Sequence, residues 1–240
     1  ISFVRAGALE IGHLTQLPRT KAAAQVVAKN ARTAAKAMKT PLLLENVAWT
    51  VRGPGDELDE PAFIRLVLDE SECDLLLDVA NLYANALNEH VDPIARVDAY
   101  PLERVAMIHV AGSQVRDGFV LDTHAHAVPD DVIALLAHVY RRIGAAPMLL
   151  ERDRGFDFAD HARELAKLRA LQSGAALHRT THAASSPRWS VDEAPEIGAL
   201  ADLQARMARA LTGGDADGLD EQQVARTRGI LARKRAEEHP

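Results

Sequence analysis

Five short apolar segments end on, or carry, a carboxylate or an imidazole, and this shared shape constrains the chain more than any other feature. They are Leu42-Leu-Leu-Glu45-Asn46, Leu75-Leu-Leu-Asp78-Val-Ala-Asn81, Met107-Ile-His109-Val-Ala-Gly112, Val120-Leu-Asp122-Thr-His124-Ala-His126 and Met148-Leu-Leu-Glu151-Arg-Asp153. A run of three or four Leu, Met or Ile residues is what a strand buried on both faces looks like. A carboxylate at its last position emerges at one end of the sheet. Several such strands side by side converge their carboxylates and imidazoles on one rim. Unpaired buried carboxylates are costly, so a shared pattern of this kind needs a shared compensation. A divalent or trivalent cation provides it.

Between these segments the pattern turns helical. Thr20 caps an alanine-rich stretch over Lys21–Lys39, Asp59 and Pro61 open a helix running to Glu70, and Asp92-Pro93 opens a short one. Pro129-Asp130-Asp131 starts a helix that ends near Gly144, and Phe156 to Leu171 reads as another. Asn81 to His90 and Gly112 to Gly118 read as irregular. Alternating strand and helix argue for a parallel sheet with helical crossovers. Of the two architectures that satisfy this, the open doubly wound sheet lacks its glycine-rich phosphate fingerprint here. Functional-looking residues at the ends of many strands favour the closed (β/α)8 barrel of TIM type. The expected architecture is α/β: a metal-binding TIM-type barrel over residues 1–172, a linker over 173–195 and a helical hairpin over 196–240. Such a barrel takes about 250 residues. Residues 1–172 offer five or six strand candidates, so two strands or so are expected ahead of Ile1-Ser-Phe-Val.

The net charge of −6 and the absence of a basic stripe make nucleic acid a poor partner. No apolar stretch reaches the roughly 18 residues of a membrane span. A single cysteine, Cys73, allows no disulfide within the chain and suits a reducing cytoplasm.

Glu45 and Asp78 each end a leucine run, where the structural alternative is a carboxylate paired with arginine. His109 lies inside an apolar strand, where a histidine is commonly a satisfied core residue, but Ala111-Gly112 leaves room for close approach. Asp122, His124 and His126 have period-two spacing and project to one side if the chain is extended. Glu151 ends the last strand, with Asp153 as a neighbour or a cap. Imidazole and carboxylate together suit iron, manganese or zinc, and one cysteine excludes a thiolate cluster. Their number exceeds what one ion needs, so two or three metals are expected. His13, His90, His138, His161, His178, His182 and His239 fall in loops, helices or the tail and read as surface residues.

The same five motifs, in this order and with Asp78-Val-Ala-Asn81-Leu-Tyr83 and His126-Ala-Val-Pro129 as extensions, resemble the multinuclear non-heme iron-dependent oxidative enzymes over about residues 1–172. The resemblance implies a TIM-type barrel holding two or three irons. It further implies oxygen-dependent modification of residues, often cysteines, in a ribosomally made precursor peptide that a partner protein presents. Glu45, Asp78, His109, Asp122, His124 and Glu151 match the family's ligand positions, Asn81 and His126 extend the set, and Asp122 and His124 are the pair assigned to the chemistry. The family's further histidines on its first strands are not in this sequence. Two rivals stand beside this reading: a divalent-metal isomerase or endonuclease of xylose-isomerase type, and a non-catalytic peptide-binding module.

Overall fold

The structure is a computed structural model that describes residues 1–38, 40–175 and 197–238. Most of the expected linker, with His178, His182 and Trp189, lies outside the described residues, as does His239. The chain divides into two compact units, one of Ala34–Ala48 and Glu72–Ser186 and one of the remaining residues.

The first of these holds a four-stranded parallel sheet. Its order is β3 (Leu43–Glu45), β4 (Asp74–Asp78), β5 (Val105–Ala111) and β8 (Met148–Glu151). Leu75, Leu77, Val105, Ile108 and Val110 are buried, as expected for strands covered on both faces. Parallel pairing forces long crossovers. Helices α3 (Val79–Asn88) and α4 (Pro93–Ala99) lie between β4 and β5. A hairpin of β6 (Ser113–Arg116) and β7 (Phe119–Asp122), then helix α5 (Asp130–Ile143), lie between β5 and β8, and α6 (Phe158–Ser173) follows. Register places Asp78 opposite His109 and Ala111 opposite Glu151, so the strand ends carrying polar side chains lie at one edge. The mixed α/β fold with a parallel sheet is as expected. Four parallel strands are too few to close into a barrel, and the described strands leave β3 and β8 as sheet edges.

Two local expectations are corrected. Asn81 to Asn88 is helical rather than irregular, because the Asp78 carboxylate caps α3 by accepting from Asn81 N at 2.7 Å. Gly112 to Gly118 is not a loop. Asp117 and Gly118 both take positive φ, 52° and 74°, which makes the tight turn joining β6 to β7.

In the second unit, β1 (Ser2–Ala6) pairs antiparallel with β2 (Leu9–Gln16). Helix α1 (Lys21–Met38) starts here, capped by Thr20 as its sequence indicates, and α2 (Glu60–Ser71) is capped by Asp59. Asp56 accepts from Arg19 N at 2.8 Å and Arg19 Nε at 3.0 Å, which ties the loop before α2 to the start of α1. The two C-terminal helices, α7 (Ile197–Thr212) and α8 (Glu221–Glu238), are those expected from the sequence. α7 packs on the β1–β2 hairpin, and α8 reaches the segment after Trp49, where Thr227 Oγ1 donates to Thr50 O at 3.2 Å. Among the described residues no helix is long and apolar enough to cross a membrane.

Candidate metal centre

The rim begins with an amide that extends the sheet. Asn46, one residue past β3, donates from Nδ2 to Asp78 O and accepts from Asp78 N at Oδ1, each at 2.9 Å. Its side chain thus does for the end of β4 what another strand residue would do. Asn81 Nδ2 then donates to Asn46 O at 3.1 Å. These bonds pin the Asp78 backbone, and the α3 cap fixes its Oδ1. The other oxygen, Oδ2, is buried and has no hydrogen-bond partner among the described residues, and the same is true of Asn81 Oδ1 and Asp122 Oδ1. Burial of this kind is unfavourable without a compensating partner. Burial first, then the neighbouring Asp122 carboxylate, push the Asp78 carboxyl up to about 8.

Two imidazoles face these oxygens. His109 Nδ1 lies 2.7 Å from Glu45 Oε1 and 3.1 Å from Glu151 Oε1. Burial opposes a charge on His109, but Glu45, Glu151 and Asp78 outweigh it and its pKa rises. His124 Nε2 lies 2.7 Å from Asp122 Oδ2, as an ion pair without hydrogen-bond alignment, and His124 Nδ1 lies 3.2 Å from Glu151 Oε2 and 3.6 Å from Asp153 Oδ2. The Asp122 contact is the main cause that raises His124 to about 9, against its burial. Glu151 therefore reaches both rings, one with each oxygen.

The segment after β7 is not extended, which corrects the period-two expectation. His124 has φ of +50°, a left-handed conformation that costs a residue with a side chain on the order of 1 kcal/mol. His124 N donates to Gly112 O at 3.0 Å, and Asp153 N donates to His124 O at 2.8 Å. A Cβ on Gly112 would lie 1.8 Å from His126 O, so only glycine admits this loop. The turn brings His124 back to Asp122 and leaves the His126 side chain exposed, outside the cluster.

Glu45, Asp78 and His109 present ligand atoms within 4.8 Å of one another, and so do Asp78, His124 and Glu151. Asp78 belongs to both triads. Asp122 stands beside His124, and Asn81 stands beneath Asp78. The unpartnered buried oxygens and the mixed imidazole and carboxylate donors fit a cation of the iron, manganese or zinc kind. Sequence reasoning missed Asn46 as a supporting residue, although it directly follows Glu45. It also missed the loop geometry that selects His124 over His126.

Residues 1–173 match the family described as RiPP precursor modification enzyme MbnB/TglH/ChrH. Curated relatives carry the name UPF0276 protein. One from Streptomyces avermitilis is 41% identical over 177 residues, which cover 70% of this chain and 36% of the relative. One from Shewanella oneidensis is 36% identical over 171 residues, covering 70% and 61%. One from Pseudomonas aeruginosa is 43% identical over 141 residues, covering 58% and 49%. The chain thus spans about a third to three fifths of the length of these relatives. With residues 1–173, most of its length, inside the match, the chain belongs to the MbnB/TglH/ChrH family of RiPP precursor modification enzymes.

Proposed function

We propose that this chain carries the metal-binding part of an iron- and oxygen-dependent oxidase that modifies cysteine residues of a ribosomally made precursor peptide. The observation that supports this best is the pair of triads sharing Asp78, inside the span matched to the peptide-modifying family. Glu45, Asp78 and His109 would hold one iron, and Asp78, His124 and Glu151 a second. Asn81 and His126 belong to the set only if further chain or substrate brings them in. Iron at these positions supplies the one-electron redox chemistry and the Lewis acidity that oxidation of a thiol by dioxygen requires.

The chain's own residues supply orientation. Asp122 holds one face of His124, and Glu151 divides its two oxygens between His109 and His124, so both rings are aimed from the protein side. Second partners of this kind fix ring orientation and raise ligand basicity. Asn46 and the α3 cap hold Asp78 against rotation. The buried leucines beneath the rim keep water from the inner side of the cluster. In the longer relatives, additional strands would close the sheet into a TIM-type barrel. A partner protein that presents the peptide, and a cytoplasmic setting, belong to the same proposal.

The test is elemental analysis of the full-length protein purified without oxygen, followed by mass spectrometry of a cysteine-containing precursor peptide incubated with it, its partner and dioxygen. Bound iron and an oxygen-dependent mass change are expected. Zinc or magnesium in place of iron, with no peptide product, would overturn the oxidase reading in favour of a hydrolase or isomerase.

A further inference from the structure

We propose that Glu164, on α6, is a positioning residue for this centre, clamping the loop that carries His124 to the strand end that carries Glu151. The inference rests on the metal-binding reading above. Glu164 Oε1 accepts from Val128 N, and Glu164 Oε2 accepts from Arg152 Nη2 at 2.7 Å. The Arg152 and Glu164 side chains are 9% and 10% exposed, so the pair is nearly removed from water. One carboxylate thus uses both oxygens on two segments that flank the cluster. Val128 lies four residues after His124, and Arg152 directly follows Glu151.

The two segments need such a link. They come from opposite ends of the β7–α5–β8 crossover, and His124 holds a left-handed backbone that its surroundings must enforce. Gly112 supports the loop from one side through His124 N, and the bond from Asp153 N supports it from the β8 side. Glu164 anchors the far end of the same loop. Without it, the 3.2 Å approach of His124 Nδ1 to Glu151 Oε2 depends on the Asp153 bond, on Gly112 and on the Asp122 contact at the other ring nitrogen. A carboxylate is suited to this place because it accepts from a neutral amide and a guanidinium together. Loss of a partner that orients a ligand typically lowers metal affinity about 10–100-fold.

The experiment uses full-length protein under anaerobic conditions with ferrous ion alone as the probe. Affinity is read by competition with a chromophoric chelator, and the bound metal by its spectrum, on protein shown to be folded by circular dichroism. Glu164→Ala is expected to lose about 10-fold or more in affinity and to alter the spectrum. Glu164→Gln retains a carbonyl oxygen for Val128 N and recovers part of that loss. Lys167→Ala, on the same helix and in an exposed pair with Asp130, leaves both readouts unchanged. A folded Glu164→Ala with wild-type affinity and spectrum, altered only in melting temperature, overturns the positioning role and leaves the metal reading intact. Failure of the wild type to bind ferrous ion overturns both. If Glu164→Ala does not fold, Glu164→Gln and Arg152→Gln decide the matter, because full affinity and an unchanged spectrum in both overturn the proposal and a loss in either supports it.

Discussion

Strand β4 begins on Asp74 and ends on Asp78, and the two carboxylates meet opposite fates. At the N-terminal end, Asp74 Oδ1 lies 3.2 Å from Arg104 Nε, and Arg104 also donates to Cys73 O at 2.6 Å. A guanidinium fixed at the start of β5 neutralises the acid, so that end of the sheet is closed electrostatically. At the C-terminal end, one buried Asp78 oxygen has no partner among the described residues, and acid neighbours crowd it. The positive charge that lowers its pKa is an imidazolium, on His124. A strand that folds well needs only the first arrangement. The second makes sense where something else brings positive charge.

The largest effect that would break this contrast is on the rim. His124→Ala in the full-length enzyme should leave a folded protein by circular dichroism, with less iron and no peptide product; full iron and full turnover would remove His124 from the site. Asp122→Ala should act in the same direction, because it frees the ring that Asp122 holds. At the other end, Arg104→Met should cost about 3 kcal/mol in denaturant unfolding, the usual result of leaving one partner of a buried pair uncompensated. It should leave metal affinity unchanged. A loss of metal there would mean that the two ends are not separate.

Asp78→Asn sharpens the comparison further. Asparagine still caps α3 but carries no charge into the buried position. Melting of the chelator-treated variant should rise by a few degrees while metal no longer raises it. An unchanged melting temperature would show that Asp78 bears no electrostatic penalty.

A further effect is on pH. The folded Asp78 pKa of about 8 and His124 pKa of about 9 both lie above their ordinary values of 3.8 and 6.5. The native state therefore binds more protons than the unfolded one between about pH 4 and pH 9. Stability of the metal-free protein should fall as pH rises through that window. Metal uptake at pH 7 should release protons, measurable by calorimetry in buffers of different ionisation enthalpy. A metal-free protein more stable at pH 9 than at pH 6 would contradict the proposed rim.

Much of the site is legible in the sequence because the apolar runs before Glu45, Asp78 and Glu151 specify both a strand and its end. What escapes is geometry carried by single residues. Asp78 reads as a ligand, and the same carboxylate is also a helix cap, so the helix it starts is easily overlooked. Asp117-Gly118 is a hairpin signal two residues long inside a polar stretch. His126 repeats the spacing of His124, and no sequence period reports that the backbone turns at His124 itself, with φ of +50°. Functional residues at strand ends favour a closed barrel, and the four parallel strands of the described sheet do not by themselves close one.

Asp78 sits at a corner shared by both triads, so two ions held there as proposed would be statistically dependent. Its proton, held with a pKa of about 8, has to leave once, whichever position fills first. A second ion would meet a carboxylate already ionised. At pH 7 this linkage would favour filling in pairs, and above pH 8 that advantage would fade, leaving the mutual repulsion of two cations. The midpoint slope of a metal titration, followed across pH, would read out one carboxylate.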